Sequence, residues 1–232
     1  MKIFKFFLDL IAPKKCYSCN KEGHFICEKC FKLEYDFEEI CYVCKGKSKK
    51  FEIHEPCKKD IYYDKVIILK HYRSNLISKL IKDAKFYNKK EILEEVSYFL
   101  YDKFLLNEKI IKLEDYIIIS TPSHFLRGLK RGYNTSDLLC REFSKISTIN
   151  YKNNVLFKIK NTKQQSKMTR KNRLINLQNS FKINKKYIDI IKDKNAIIID
   201  DVISTGTTLN ELSNILKQNG VKKIIGLIIA SD

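Results

Sequence analysis

Residues 196–209 read AIIIDDVISTGTTL. A run of apolar residues leads to two adjacent acids, then to a turn rich in Ser, Thr and Gly that opens a helical pattern. At such a strand–turn–helix junction the backbone N–H groups of Ser204, Thr205, Gly206 and Thr207 make an anion nest at the helix N-terminus. The hydroxyls of Thr205, Thr207 and Thr208 add donors, and Gly206 lets a ligand approach the backbone closely. Asp200 and Asp201, at the strand end, lie one ribose length from the nest. They suit two vicinal hydroxyls or a magnesium shell. The spacing matches neither a Walker A loop nor G-x-G-x-x-G.

The flanking sequence extends this junction into a layered fold. KKIIGLIIA (222–230) reads as a further buried strand, reached by a helix from about Thr207 to Asn219 that Gly220 ends. Residues 65–69 (KVIIL) and 116–120 (YIIIS) read as strands of the same type. Apolar positions recur at helical spacing from Asn75 to about Leu106, broken near Asn88. Thr135 or Ser136 caps a helix to about Lys145. A third strand is expected near 155–159 and a short helix near 169–178. Fully apolar strands alternating with helices predict an α/β fold whose parallel sheet is covered on both faces.

Seven of the eight cysteines fall before residue 58. They form Cys16-x-x-Cys19, Cys27-x-x-Cys30, Cys41-x-x-Cys44 and, with a histidine, His54-x-x-Cys57. A two-residue gap lets two side chains of one tight turn reach a single tetrahedral metal, and two such turns close a zinc site. Disulfides need an oxidising compartment, and redox C-x-x-C pairs come singly. The reading is therefore one or two structural zinc ions, the ligand pairs combining sequentially (Cys16/Cys19/Cys27/Cys30 and Cys41/Cys44/His54/Cys57) or interleaved. His24 is the rival ligand, and Cys140, alone in an expected helix, reads as a buried thiol. The linkers hold no apolar set large enough for a core, so metal binding is expected to do most of the folding of residues 1–57. Residues 58–232 then form the larger domain, and a short amphipathic helix leads in over residues 2–11.

At 232 residues, 44% hydrophobic, the chain can bury a proper core. No run of 18 apolar residues is present, and Lys5 and Asp9 interrupt the N-terminal apolar stretch, so neither a transmembrane helix nor a signal peptide is expected. A cytoplasmic protein is the expectation. The net charge is +18. Residues 1–57 contribute 11 basic and 9 acidic side chains, +2, leaving +16 for the rest. Residues 158–186 carry ten Lys/Arg and no acid. A polyanion site and plain compositional bias both fit that surplus.

The AIIIDDVISTGTTL stretch closely resembles the signature of type I phosphoribosyltransferases, which bind phosphoribosyl pyrophosphate (PRPP). The order of features along the chain is similar to that of the ComF (ComFC) competence family, which couples a zinc ribbon to a phosphoribosyltransferase-like domain. Those features are the C-x-x-C pairs, a Thr-Pro loop after the strand at 116–120, RGLKRGYN from Arg127, Thr162-x-x-Gln165, Arg173-x-x-Asn176 with Phe181, and the Asp-Asp loop. The resemblance spans essentially the whole chain.

It implies that Asp200 and Asp201 hold ribose hydroxyls while Ser204, Thr205, Gly206, Thr207 and Thr208 take the 5′-phosphate. Ser120, Thr121, Pro122 and Ser123 would form the pyrophosphate loop. Arg131, Gly132, Asn134, Gln165, Arg173 and Asn176 would complete the site, with Arg131 and Arg173 offsetting negative charge. Mg²⁺ would accompany PRPP. Three departures stand out: Ser-Thr-Pro replaces Pro-Val-Pro, Tyr133-Asn134-Thr135 replaces Phe-Asn-Gln, and His54 replaces a cysteine. The implied activity is Mg-dependent phosphoribosyl transfer to an unidentified acceptor, in natural transformation. His124 follows the loop and bears on proton traffic or on nothing. The competing reading is a non-catalytic module that grips single-stranded DNA through the basic segment, with Tyr151, Phe157, Phe181 and Tyr187 as stacking faces. In either case other competence proteins at the inner face of the membrane are implied partners, and the lead-in helix is a candidate docking element.

Overall fold

A computed structural model describes residues 13–122, 133–159 and 180–232. The expected helices at 2–11 and 169–178 lie outside the described residues. So do Ser123, His124, Arg127, Arg131, Gly132, Thr162, Gln165, Arg173 and Asn176.

Among the described residues, five parallel strands form the main sheet: β1 (Lys65–His71), β2 (Tyr116–Ser120), β3 (Tyr151–Lys152), β6 (Asn195–Ile203) and β7 (Lys223–Ser231). Their spatial order is β1-β7-β6-β2-β3. The central strands are apolar on both faces, since Ile117–Ile119 of β2, Ala196–Ile199 of β6 and Ile225, Leu227 and Ile228 of β7 are all buried. The long crossover from β1 to β2 contains α2 (Asn75–Phe86) and α3 (Glu91–Asn107), separated at Asn88, whose φ is 56°. Helix α4 (Thr135–Ser147) connects β2 to β3, and α6 (Thr207–Gln218) connects β6 to β7.

Two contacts on β7 fix the faces. A Cβ on Gly226 would come within 2.7 Å of Leu209, so α6 rests directly on that face. Ile229, three residues on and therefore on the opposite face, lines an apolar cleft with Ile77 and Leu80 of α2 and Leu93 of α3. Helix α4 joins the α3 side through the edge-to-face pair of Phe104 and Phe143, whose centroids are 5.7 Å apart.

The strand expected near 155–159 does form, as β4 (Leu156–Lys158), but outside the main sheet. It pairs antiparallel with β5 (Phe181–Ile183), while the sheet edge goes to the two residues of β3. Helix α4 also begins differently from the expectation. Asn134, not Thr135 or Ser136, is the cap, its Oδ1 accepting from Ser136 N at 3.2 Å. A four-residue helix, α5 (Ile188–Ile191), precedes β6.

Among its described residues the cysteine segment contains one α-helix, α1 (Glu28–Leu33), and two single-turn 3-10 helices, and it packs against the domain that follows it. Metal is not left to organise it alone: Ile26, Phe31, Phe37, Phe51 and Ile53 are buried in a core continuous with that of the sheet. Residues 36–37 and 52–53 run along the outer edge of β1. Bridges Asp36↔Lys70 and Glu52↔Lys65 and the bond from Phe37 N to Leu69 O (3.3 Å) cover that edge. No helix among the described residues is long and apolar enough to cross a membrane.

Candidate functional site

In an open parallel sheet, ligands bind beyond the carboxyl ends of the strands where the winding direction reverses. Here the chain leaves β2 outward to β3 and leaves β6 the other way to β7, so the reversal falls between β2 and β6. These two strands are in register from Tyr116↔Asn195 to Ser120↔Ile199. Their carboxyl ends deliver Thr121 and Pro122 from one side and Asp200 and Asp201 from the other.

Asp200 is half-buried, with Oδ1 accepting from Ser136 Oγ at 2.7 Å and from the Asp201 backbone N–H at 2.9 Å. Burial first, then the adjacent Asp201 carboxylate, push Asp200 up to about 6, against the opposing pull of Ser136 and Lys85. Asp201 is buried and pairs with Lys85 Nζ at 2.8 Å. Lys85 arrives from the last turn of α2 and Ser136 from the first turn of α4. The sequence marked Ser136 only as a possible helix cap and Lys85 not at all, since only the crossovers bring them to β6.

Beyond the carboxylates, Ser204–Gly206 turn the chain into α6. Gly206 is the N-cap at φ 73°, a conformation that favours glycine. Thr205 Oγ1 and Thr207 Oγ1 are 2.9 Å apart. The first turn of a twelve-residue helix thus presents N–H groups and hydroxyls around a cavity of about 90 Å³, whose lining includes Thr121, Asp200, Thr205, Gly206 and Thr208. Thr121 Oγ1 reaches Ile199 O at 3.4 Å, and Asn134 Nδ2 donates to Thr121 O at 3.1 Å. Asn134 therefore ties the loop after β2 to the start of α4, with both ends of its amide on protein atoms.

A tyrosine from the cysteine segment closes the back of the turn. Tyr42, 4% exposed, donates from its hydroxyl to Ser204 O at 3.0 Å and lies 3.1 Å from Ser231 Oγ. A Cβ on Gly206 would sit 3.1 Å from Tyr63 Oη and 3.3 Å from Tyr42 Cε1. Only its place between Cys41 and Cys44 marks Tyr42 in the sequence.

The cysteine pairs group sequentially. Cys16, Cys19, Cys27 and Cys30 form one cluster and Cys41, Cys44, His54 and Cys57 the other, with the ligand atoms of each within 4.8 Å of one another. His24 belongs to neither. Cys19 Sγ and Cys27 Sγ are 3.7 Å apart, close to the roughly 3.8 Å expected for thiolates at about 2.3 Å around one tetrahedral zinc. His54 turns Nδ1 to Cys44 Sγ at 3.4 Å and Nε2 to Lys47 O at 3.0 Å, the arrangement of a ligating imidazole oriented by a backbone carbonyl. Burial raises the Cys16 thiol, but backbone N–H groups of Cys19, Cys27 and Ser18 outweigh it and hold Cys16 at about 6. Burial likewise raises Cys41, and N–H groups of Cys44, His54 and Val43 bring it to about 7. Cys30, despite the Ser18 side chain, is pushed up to about 12 by Cys27 and burial, and Cys57 to about 11 by burial and Cys44. This donor set fits zinc: four crowded ligand atoms in each cluster, one sulfur of each already drawn toward the thiolate by backbone N–H groups.

The clusters dock differently. At the first, Glu95 of α3 accepts from Phe25 N and Ile26 N at 2.9 and 3.1 Å, Tyr17 donates to Asp83 at 2.6 Å, and Phe31 stacks on Phe99 with centroids 3.7 Å apart. The second bears on the β6–α6 turn through Tyr42. Cys140 is the buried thiol expected, pushed well up by burial.

The phosphoribosyl transferase domain family matches residues 130–231. Competence protein F of Haemophilus influenzae is 31% identical over 218 residues, 90% of this chain and 93% of that protein. DNA utilization protein YhgH of Escherichia coli K12 is 27% identical over 225 residues, 93% of this chain and 96% of that protein. A solved Trypanosoma cruzi hypoxanthine phosphoribosyl transferase overlaps 62% of this chain and 64% of its own with a TM-score of 0.36 at 12% identity, too loosely to carry an argument. Order of elements, clustered ligands and similarity over nine-tenths of the sequence converge: the chain belongs to the family of Competence protein F, with a phosphoribosyltransferase-type α/β domain behind a cysteine module.

Proposed function

We propose that this protein binds PRPP at the β2/β6 crevice and transfers its phosphoribosyl group to an acceptor, in the handling of DNA taken up during transformation. The observation that carries the reading is the convergence, at the reversal point of the sheet, of Asp200 and a helix N-terminus on one cavity, with Asp201 next to it on Lys85. The N–H groups and hydroxyls of Ser204–Thr208 suit a 5′-phosphate. Asp200 and Asp201 suit the ribose hydroxyls as acceptors. The loop at Thr121 and Pro122 suits the pyrophosphate, with Ser123, Arg131, Gln165 and Arg173 assigned to the site by sequence. Mg²⁺, where bound with PRPP, neutralises charge on the pyrophosphate as it leaves.

In the transfer, the bond from C1′ to the pyrophosphate oxygen breaks, the acceptor's electron pair closes on C1′, and the acceptor loses a proton. The protein's part is to fix the phosphate and the ribose hydroxyls so that C1′ faces the acceptor in line. Lys85 holds Asp201 in place until a ligand competes for it. The two clusters take zinc as structural ions, the role their four-ligand composition supports.

Calorimetric titration with PRPP and Mg²⁺ tests the reading. Saturable binding is expected, and the Asp200→Asn/Asp201→Asn double variant should abolish it. A folded, zinc-loaded wild type that gives no heat and no saturation overturns it. Weight then moves to a single-stranded-DNA adaptor, which the +16 surplus of residues 58–232 and the DNA-related name of the YhgH relatives favour. DNA binding through Lys and Arg would fall steeply with salt.

A further inference from the structure

The turn between β6 and α6 works as an anion nest only if its peptide N–H groups point outward, and a side chain from the second cysteine cluster bears on that orientation. A trans peptide is planar, with its C=O and N–H on opposite sides. The Ser204 carbonyl and the Thr205 N–H belong to one such plane. Tyr42 donates to the Ser204 carbonyl at 3.0 Å, so the Thr205 N–H points away from Tyr42. Tyr42 is not among the residues lining the cavity, whereas Ser204 and Thr205 are. The preceding carbonyl, Ile203 O, is held in the same way by Ser231 Oγ at 3.1 Å, and Ser231 Oγ is itself 3.1 Å from Tyr42 Oη. With one proton on each hydroxyl, Tyr42→Ser204 O and Ser231→Ile203 O satisfies both carbonyls.

The ring has little freedom to move. It is flanked in sequence by the ligands Cys41 and Cys44, and the knuckle is closed by Cys41 N to Gly46 O at 2.8 Å and Lys45 N to Cys41 O at 2.8 Å. Lys45 Nζ lies 3.4 Å from its centroid, and Gly206 lies against its edge. Tyr42 and Ser231 are both buried within this contact.

We propose that Tyr42 is a positioning residue for the phosphate turn, held by the second metal knuckle, so that the state of the Cys41/Cys44/His54/Cys57 cluster sets how well the turn receives an anion. The proposal rests on the reading of that turn as a phosphate site. It assigns the second cluster a part in ligand affinity and leaves the first cluster with none.

The test is Tyr42→Phe in the full, metal-loaded chain, which keeps the ring and removes the donor. Three quantities are measured: zinc per chain, hydrogen exchange of the 204–208 amides without ligand, and calorimetric affinity for ribose 5-phosphate beside Mg-pyrophosphate. Both metals should remain. Exchange in the turn should quicken and ribose 5-phosphate binding should weaken, each by about 3- to 10-fold, the worth of one hydrogen bond, with Mg-pyrophosphate affinity unchanged. Unchanged exchange in the turn overturns the proposal, as does an equal loss for both ligands, which marks a general loosening. A wild type that binds neither ligand overturns the phosphate reading instead, and the exchange rates still decide whether Tyr42 braces the turn.

Discussion

In two kinds of place backbone N–H groups of this chain gather toward negative charge, and the places differ in where that charge comes from. In the knuckles the anion belongs to the chain: N–H groups gather on the sulfurs of Cys16 and Cys41 and pull those thiols down to about 6 and 7. At the β6–α6 turn the N–H groups face a cavity, and the charged side chains beside it are two carboxylates, one of them pushed up to about 6. The knuckles gather four ligand atoms each to keep a cation, with ionisation already favoured at one sulfur of each. The crevice holds neighbouring like charges that Lys85 and Ser136 only partly offset. The first arrangement suits permanent occupancy, the second a ligand that comes and goes.

Matched cysteine variants give the largest effect and test whether the two clusters differ. Cys19 and Cys44 are both exposed ligands, one from each cluster. Either substitution by Ser should release one zinc and lower Tm on the order of 10 °C, a loss of several kcal/mol. Only Cys44→Ser should speed exchange in the 204–208 turn. Equal loosening by both variants would erase the distinction between the clusters.

Asp200→Asn probes the crevice. The folded pKa of Asp200 lies above that of a free carboxyl, so the folded chain holds the proton more tightly than the unfolded chain. Stability is therefore lost as pH rises from about 4 through about 6. The amide keeps Oδ1 for Ser136 and the Asp201 N–H but carries no charge. The variant should exceed wild type by about 1–3 kcal/mol at pH 8, and the gain should vanish at pH 4, read from paired melting curves. A constant difference across that range would show that charge is not the cause.

The smallest effect is expected at the joint between module and sheet. Burial pushes the Glu95 carboxyl up against the pull of the Ile26 and Phe25 N–H groups. Glu95→Gln keeps an acceptor for both and removes the charge, so it should change stability by less than about 1 kcal/mol in chemical unfolding, with no loss at neutral pH. Ribose 5-phosphate affinity should not change. A loss of affinity there would mean that the first cluster also reaches the crevice.

The long elements were legible because their apolar runs are long. YIIIS, NAIIID and KKIIGLIIA all became strands of the parallel sheet, and the break at Asn88 fell where helical spacing lapsed. The sheet edge was not legible, since Tyr151–Lys152 is too short to show a period, and the stronger pattern at 156–158 pairs with β5 instead. Within the site, the acidic pair and the turn could be read because their atoms are adjacent in sequence. Lys85, Ser136 and Tyr42 could not, because each reaches β6 or its turn from 64 or more residues away. Four ligand pairs suggested one or two metals, but the choice between sequential and interleaved pairing needed three dimensions.

The cover along β1 has a consequence for how the chain is made. KVIILKH is a strand that, left bare, would present a row of unpaired N–H and C=O groups to any other chain in the same state. Its cover, residues 36–37 and 52–53, precedes it in the sequence and so leaves the ribosome first. The lid is therefore within reach when the edge it must close emerges, and the chain can cover that edge with its own residues before another chain pairs with it.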